Sequence, residues 1–276
     1  MLAIAVGPNL TKYMHELLDH MFACGLSQPL RQALVDLAAH IPPLLPSIQE
    51  RLLNVLSLIL CEQNYVAPGA PTRHVSPLAT VGKEVGPLVE IRDPSVTILA
   101  LQTLGTFDFR GHSLHEIIRD CAVLYLEDPS VEIRREASLT CSQLLARDPA
   151  CYQSSNNALK IVLQVLTRIL SIGIADPDPA TRIAVLSSLD ERFDHHLSQG
   201  ENVRSLFIAL NDEVFEIRII SMNIIGRLII HNPAFIMPAL RKLLIKLLTE
   251  LEYAGLRYLN DYIVFKRKSL HYCLAT

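Results

Sequence analysis

Three clusters in the chain contain side chains able to do chemistry. His112, His115 and Glu116 form an HxxHE cluster with the spacing of one helical face, as a metal site on a helix requires. A metal site also needs a further ligand set, and none follows at metal spacing, so an exposed helix start is the preferred reading and no metal or cofactor is expected. Asp194 precedes His195 and His196 and could orient an imidazole as a base. Catalysis would also need a nucleophile in a cleft, which the sequence does not indicate, so these histidines are expected at a solvated helix end. Asp190, Glu191, Arg192 and Asp194 read equally as a docking motif or as a salt network within one helix. No catalytic residue is assigned.

Two basic clusters, Arg241 with Lys242 and Lys246, and Lys266-Arg267-Lys268 beside Tyr258, Tyr262 and Phe265, could meet phosphate groups. Against nucleic acid stand a formal net charge of -3 over 276 residues and the lack of an aromatic platform for stacking bases. Solvated faces with snorkelling lysines are the stronger reading. Half of the residues are apolar and 19% are charged, a globular composition able to bury a large core.

The six cysteines, Cys24, Cys61, Cys121, Cys141, Cys151 and Cys273, include no CxxC pair, and most lie in apolar runs. They read as reduced thiols of an intracellular, cytoplasmic protein. The opening MLAIAVGPNL lacks the basic region and sustained apolar stretch of a signal peptide, so the sequon Asn9-Leu10-Thr11 is expected to stay unmodified. The most apolar window, Ile217 to Ile230, contains Arg218 and Arg227 and is shorter than the roughly 20 residues that cross a bilayer. No transmembrane segment is expected.

Apolar residues recur at helical spacing, as in Leu52, Leu53, Leu56, Ile59 and Leu60, and alternating strand patterns are missing, so the class is all-α. The periodicity predicts helices near 10–24, 28–41, 47–61, 95–107, 113–127, 130–146, 157–174, 179–190, 201–210, 213–231 and 234–253. Residues 63–92, with Pro68, Gly69, Pro71, Pro77, Gly82, Gly86 and Pro87, read as a flexible exposed loop. It is either a regulated insertion or, preferred here, a surface loop tolerated because loop length costs little. The chain therefore divides into amino-terminal helical repeats at 1–62, that loop at 63–92, further repeats at 93–254 and a divergent tail at 255–276.

The repeat is carried by four helix starts: Asp93-Pro94-Ser95, Asp128-Pro129-Ser130, Asp176-Pro177-Asp178-Pro179 and Asp212-Glu213-Val214. Arg134, Arg182 and Arg218 stand six residues after the last three aspartates, and Leu99 takes that place in the first copy. Successive aspartates lie 35, 48 and 36 residues apart, close to the two-helix period of HEAT and armadillo repeats, with an insertion expected around 148–157. An Asp at such a turn accepts from the unpaired N–H groups of the next helix, and a Pro at the first helical position fits its φ. The Arg lies about one and a half turns into that helix, where its fork can reach a carboxylate or carbonyl at an adjacent turn. A ladder through Asp93, Asp128, Arg134, Asp176, Arg182, Asp212 and Arg218 is predicted, weakest at Leu99. Helix pairs with one apolar stripe must stack to bury it, giving a HEAT-type α-solenoid of antiparallel helix pairs.

Several strings are more specific than the repeat: Leu189-Asp190-Glu191-Arg192-Phe193-Asp194, Leu210-Asn211-Asp212-Glu213-Val214-Phe215-Glu216-Ile217-Arg218, Asn232-Pro233-Ala234-Phe235-Ile236-Met237-Pro238 and Leu248-Thr249-Glu250-Leu251-Glu252. With these, and with Leu101-Gln102-Thr103-Leu104-Gly105-Thr106-Phe107 and Gly111-His112-Ser113-Leu114, the chain resembles the amino-terminal HEAT region of the TOR serine/threonine protein kinases over most of residues 10–254. The resemblance implies a non-catalytic scaffold segment of a much longer kinase, in dimeric complexes with raptor-like or rictor-like subunits that respond to nutrients and growth signals. It also implies a cytoplasmic location, with peripheral attachment to endomembranes or the lysosome through the parent complex. Kinase machinery is not expected in this chain: no Gly-rich phosphate loop or HRD string is present, and Asp108-Phe109-Arg110 misses DFG at its glycine. After Glu252 the family pattern would run into another amphipathic repeat, whereas here Leu256-Arg257-Tyr258-Leu259-Asn260-Asp261 leads to Thr276. A truncated or alternatively spliced product with an exposed carboxy-terminal repeat face is the expectation. The alternative to a kinase segment is an independent HEAT adaptor for transport or a phosphatase.

Overall fold

The computed structural model describes residues 11–61, 93–112, 114–120, 122–147 and 156–273. The loop reading at 63–92 lies outside them, as do positions 148–155 of the expected insertion. Every regular element among the described residues is helical: α1 (Thr11–Ala23), α2 (Gln28–His40), α3 (Leu45–Cys61), α4 (Pro94–Thr106), α5 (His115–Asp120), α6 (Val131–Arg147), α7 (Asn156–Ala175), α8 (Pro179–Ser188), α9 (Asp194–Leu197), α10 (Gly200–Ala209), α11 (Phe215–Leu228) and α12 (Pro233–Cys273). Single 3-10 turns at Pro42–Leu44, Ala122–Glu127 and Glu191–Phe193 link some of them.

The helices pack in two layers. Each of α3, α4, α6, α8 and α11 touches the next in the series. Behind them, α7 packs between the Ala122–Glu127 turn with α5 on one side and α10 on the other. Short turns join the layers, as between α7 and α8 and between α10 and α11, so partners in a pair run antiparallel. The molecule is an all-α helical-repeat solenoid.

Burial follows the stripe that each helix carries. In α3, Ile48, Leu52, Leu53, Leu56 and Leu60 are buried, and in α7, Val162, Val165, Leu166, Ile169 and Leu170, both series recurring at three- and four-residue steps. One continuous apolar cluster runs from Met14 to Ile236. The 20-residue stretch Pro42–Cys61 is apolar and long enough to pass for a membrane span, but Leu44, Leu52, Leu53, Leu56 and Leu60 sit in this cluster. Where α4 crosses α6, Gly105 brings the backbones together: a Cβ there would lie 3.3 Å from the Thr140 Cα. Gly25, at φ 81°, makes the turn from α1 to α2 in a conformation that side chains disfavour.

Two helix predictions need correction. The helix expected over 113–127 is divided into α5 and the 3-10 turn Ala122–Glu127, an arrangement in which the buried Tyr125 hydroxyl donates to the Leu60 carbonyl at 2.8 Å. The helix expected to stop at 253 runs on to Cys273. Leu256, Leu259, Tyr262 and Ile263 continue the helical spacing, and the lone Gly255 costs only about 1 kcal/mol against Ala, too little to end a helix. The reduced-thiol expectation fails at Cys61, which is disulfide-bonded. Cysteine spacing in sequence does not fix bonding, which depends on which thiols the packing brings together. Cys141 is fully buried as a free thiol, and burial pushes its pKa up to about 12.

Leu104 is fully enclosed between neighbouring helices. Leu104→Ala is expected to lower stability by about 2–5 kcal/mol through lost burial and a residual cavity, read as a lower urea midpoint with an unchanged slope.

Candidate functional site

The helix starts of α4, α6, α8 and α11 lie side by side, and each is preceded by one of the repeat aspartates. In all four the carboxylate accepts the N–H two residues on: Asp93 from Ser95 at 2.9 Å, Asp128 from Ser130 at 2.8 Å, Asp176 from Asp178 at 2.9 Å and Asp212 from Val214 at 2.9 Å. Only Asp93 is itself the residue that caps its helix; at α8 that place belongs to Asp178, which accepts from Thr181. The other three aspartates stand a turn earlier and leave one edge of the carboxylate to the neighbouring helix.

That edge is filled by arginine. Arg134 grips Asp176 with both arms, Nε to Oδ2 at 2.8 Å and Nη2 to Oδ1 at 3.1 Å. Arg182 pairs with Asp212 through one hydrogen bond, Nη2 to Oδ1 at 3.0 Å, while its Nε lies 3.0 Å from Oδ2 without completing a second. The third nitrogen of each arginine returns to its own turn. Nη1 donates to the carbonyl of the aspartate six residues back, at 2.9 Å for Arg134, 2.7 Å for Arg182 and 3.0 Å for Arg218. Leu99, with no donor, stands where α4 would present its guanidinium to Asp128. There the link between α4 and α6 is neutral or solvent-facing: Thr140 donates to the Leu101 carbonyl at 3.0 Å and Gln102 to Glu136 at 3.3 Å.

The pairs are well hidden from water, with Arg182 and Asp212 side chains each 8% exposed. Burial alone would raise the Asp176 and Asp212 carboxyls, but the bonds they accept from Arg134 and the Asp178 N–H, and from the Val214 N–H and Arg182, hold both below the ordinary value. Asp178 is held lower still, at about 2, by the Thr181 hydroxyl and then by Arg135, whose Nη2 lies 2.9 Å from its carboxylate.

The opposite ends of the layer helices carry a second set of contacts that sequence spacing did not reveal. Arg147 donates to the Phe107 carbonyl at 3.4 Å, Arg192 to the Ala146 carbonyl at 3.4 Å and Arg227 to the Leu189 carbonyl at 2.9 Å. Each arginine thus reaches back to the terminal carbonyls of the preceding layer helix, which attract positive charge. Arg227 also clamps Asp194, with Nη2 to Oδ1 at 2.9 Å and Nε to Oδ2 at 3.1 Å. The solvated position expected for His195 and His196 holds for His195, which is exposed, and fails for His196, which is buried like Asp194. An arginine in the apolar window Ile217–Ile230 was the available signal, because a charge in such a helix needs a buried partner. Arg192 pairs with Asp190 and so belongs to a local salt network, while Asp194 reaches across to α11.

The side chains of His115 and Glu116 in the HxxHE cluster lie outside those described, and among the described residues no group of three or more His, Cys, Asp or Glu could hold a metal. The near-DFG segment lies in the turn after α4. Phe107 and Phe109 are buried there with ring centroids 5.1 Å apart, and Arg110 pairs with Asp108. What the sites have in common is structural: they fix helix to helix.

Such a stack with paired turns defines a helical-repeat array. No family model matches the chain. It is 48% identical over 255 residues to the serine/threonine-protein kinase tor1 of Schizosaccharomyces pombe, covering 92% of this chain and 11% of that protein. To the serine/threonine-protein kinase mTor of Drosophila melanogaster it is 38% identical over 259 residues, 93% of this chain and 10% of the relative. To the serine/threonine-protein kinase TOR of Arabidopsis thaliana it is 34% identical over 268 residues, 92% and 11% respectively. The chain corresponds to a segment of the TOR serine/threonine protein kinases and spans about a tenth of the length of the relatives it matches.

Arg182→Met should leave Asp212 buried without its cation and cost about 3–5 kcal/mol, with much of the loss recovered when Asp212→Leu is added; chemical denaturation of the single and double variants measures both. The depressed carboxyls of Asp176, Asp178 and Asp212 bind protons more readily in the unfolded chain. Their stabilisation is therefore complete above the ordinary carboxylate value of 3.8 and lost as pH falls toward about 2. Urea midpoints are expected to drop between about pH 6 and about pH 2.5, less steeply in Asp178→Asn.

Proposed function

We propose that the chain is a non-catalytic HEAT-type scaffold segment from the amino-terminal part of a TOR-type kinase, acting through protein–protein interaction and assembly of TOR complexes in nutrient and growth signalling. The observation that carries this reading is 48% identity to a TOR kinase sustained over 92% of the chain, in a structure whose buried polar groups link one helix to another. A stack of this kind offers a long surface held by nearest-neighbour contacts, which suits the holding of partners. The Asp–Arg ladder is proposed to set the repeat register, and with it the curvature of that surface. By resemblance, the partners are raptor-like or rictor-like subunits and the remainder of the kinase, in a parent complex that is dimeric, cytoplasmic and peripheral to endomembranes or the lysosome.

Affinity purification of the tagged full chain from cells tests this. Retention of the TOR kinase, or of raptor-like or rictor-like subunits, above a Leu104→Ala control is the expected outcome. Recovery of none of them, from material that is folded by circular dichroism, removes the scaffold role and favours an independent adaptor.

A further inference from the structure

The arginines at the turn edge of the stack include one unequal member. Arg147, Arg192 and Arg227 each reach the terminal carbonyls of the preceding layer helix. Arg192 also holds the Asp190 carboxylate, and Arg227 holds that of Asp194. Arg147 has no carboxylate among the described residues: it is exposed, and Nη1 donates to the Phe107 carbonyl at 3.4 Å. Nearby, Arg110 turns Nε to Asp108 at 3.2 Å. Its side chain is 91% exposed, and neither Nη is bonded among the described residues.

Both arginines line one cavity of about 540 Å³. Its floor is apolar, formed by the buried Phe107, Phe109, Leu114 and Leu144. Its mouth is cationic, with Arg110, Arg147 and Arg192 against the single carboxylate of Asp108, in a chain whose formal net charge is -3. The wall made by the turn after α4 is fixed from within: Gln49 of α3 donates to the Asp108 carbonyl at 2.7 Å, and the Asp108 carboxylate accepts the Arg110 N–H at 3.0 Å. Gly111, at φ 95°, turns the chain back there. Little ordering is therefore left for a ligand to bring about. The cavity lies inside the stack, because α3 packs on α4 and α11 packs on α8. A repeat added at either end of such an array touches only its neighbour and would not cover this edge.

The geometry points to a binding site for a phosphorylated polypeptide segment, whose phosphoserine or phosphothreonine meets Arg110 and Arg147 at the mouth while a neighbouring apolar side chain enters the floor. The inference rests on the scaffold reading and names the chemistry of one partner. One carboxylate is filled by one fork, as Asp176 is by Arg134. Two open forks suit a phosphate monoester, which has three terminal oxygens and a charge of about -2. A short phosphorylated side chain stays at the mouth, among guanidiniums that stand in water, so the anion keeps part of its hydration and the burial cost is small. The carbonyl ends of α4 and α6 repel an anion, and Arg147 and Arg192 offset this, each being bonded to one of them. An arginine that served only the end of α4 would use one nitrogen, and Arg147 keeps Nε and Nη2 for a ligand. A concave apolar floor with a few directed polar groups is the usual form of a specific site.

The full chain, immobilised through a tag, is offered three synthetic heptapeptide libraries that differ only in a fixed central residue: phosphoserine, serine or glutamate. Retained peptides are identified by mass spectrometry. The phosphoserine library is expected to be retained about tenfold over the other two, with leucine, isoleucine, methionine or phenylalanine enriched beside the phosphate. The most enriched phosphopeptide, labelled and followed by fluorescence anisotropy, should bind saturably, and about tenfold more weakly to Arg110→Gln and to Arg147→Gln. Both arginines are exposed, so the circular dichroism of these variants should be unchanged, and Arg241→Gln, in α12 and away from the cavity, should bind as the parent chain does. Equal retention of the phosphoserine and serine libraries overturns the proposal, as does binding indifferent to both arginines. Equal retention of the glutamate library would make the ligand a carboxylate, and retention regardless of flanking residues would make it a bare phosphate group; either result overturns the assignment. Co-purification of the kinase or its subunits without phosphopeptide binding removes this site and leaves the scaffold role. The reverse outcome defeats the scaffold role and leaves the site standing.

Discussion

A helix with an apolar stripe cannot remove that stripe from water alone, and everything else in this molecule depends on that constraint. Leu52 and Leu56 of α3, Leu101 and Leu104 of α4 and Val185 and Leu186 of α8 are each buried by the next helices in the series. The result is one core drawn out along a stack, in which each unit owes its stability to its immediate neighbours.

Burial has no preferred direction along a helix, so it does not decide how far one helix slides on the next. The ion pairs Arg134–Asp176 and Arg182–Asp212 are proposed to supply that decision. Each fork fits its carboxylate in one register, and each arginine is itself fixed by a carbonyl of its own turn. Removing two charges from water costs several kcal/mol per ion; at Arg134–Asp176 two side-chain bonds and the Asp128 carbonyl offset it, whereas Arg182 keeps its Nε buried without a hydrogen bond. A lysine, with a point charge in place of a planar fork, would satisfy the carboxylate but not fix the register. Arg147, Arg192 and Arg227 act at the other ends of the helices, so the layer is held at both edges.

For a chain matching about a tenth of its TOR relatives, this local character matters. A stack stabilised between neighbours keeps its internal geometry in a segment of the array, because few of its contacts reach far along the chain. The unequal rungs bear on how the segment holds together: the step from α4 to α6, with Leu99 in place of an arginine, relies on Thr140, Gln102 and the close approach at Gly105.

Much of this was legible in the residues themselves. Helical periodicity determined the all-α class, and the repeat aspartates Asp93, Asp128, Asp176 and Asp212 marked where α4, α6, α8 and α11 begin, because capping and φ preferences act within a few residues of chain. The resemblance strings carried the family. Tertiary structure alone decided the rest. Asp194 and His196 look solvated in sequence and are buried because Arg227, thirty-three residues away, closes over the aspartate. Arg147, Arg192 and Arg227 share no fixed spacing, so their common task of reaching the preceding helix's carbonyls emerges only when the helices are placed side by side. Local chemistry is written in neighbouring residues; which distant carboxylate or carbonyl an arginine meets depends on packing, and packing is a property of the whole stack.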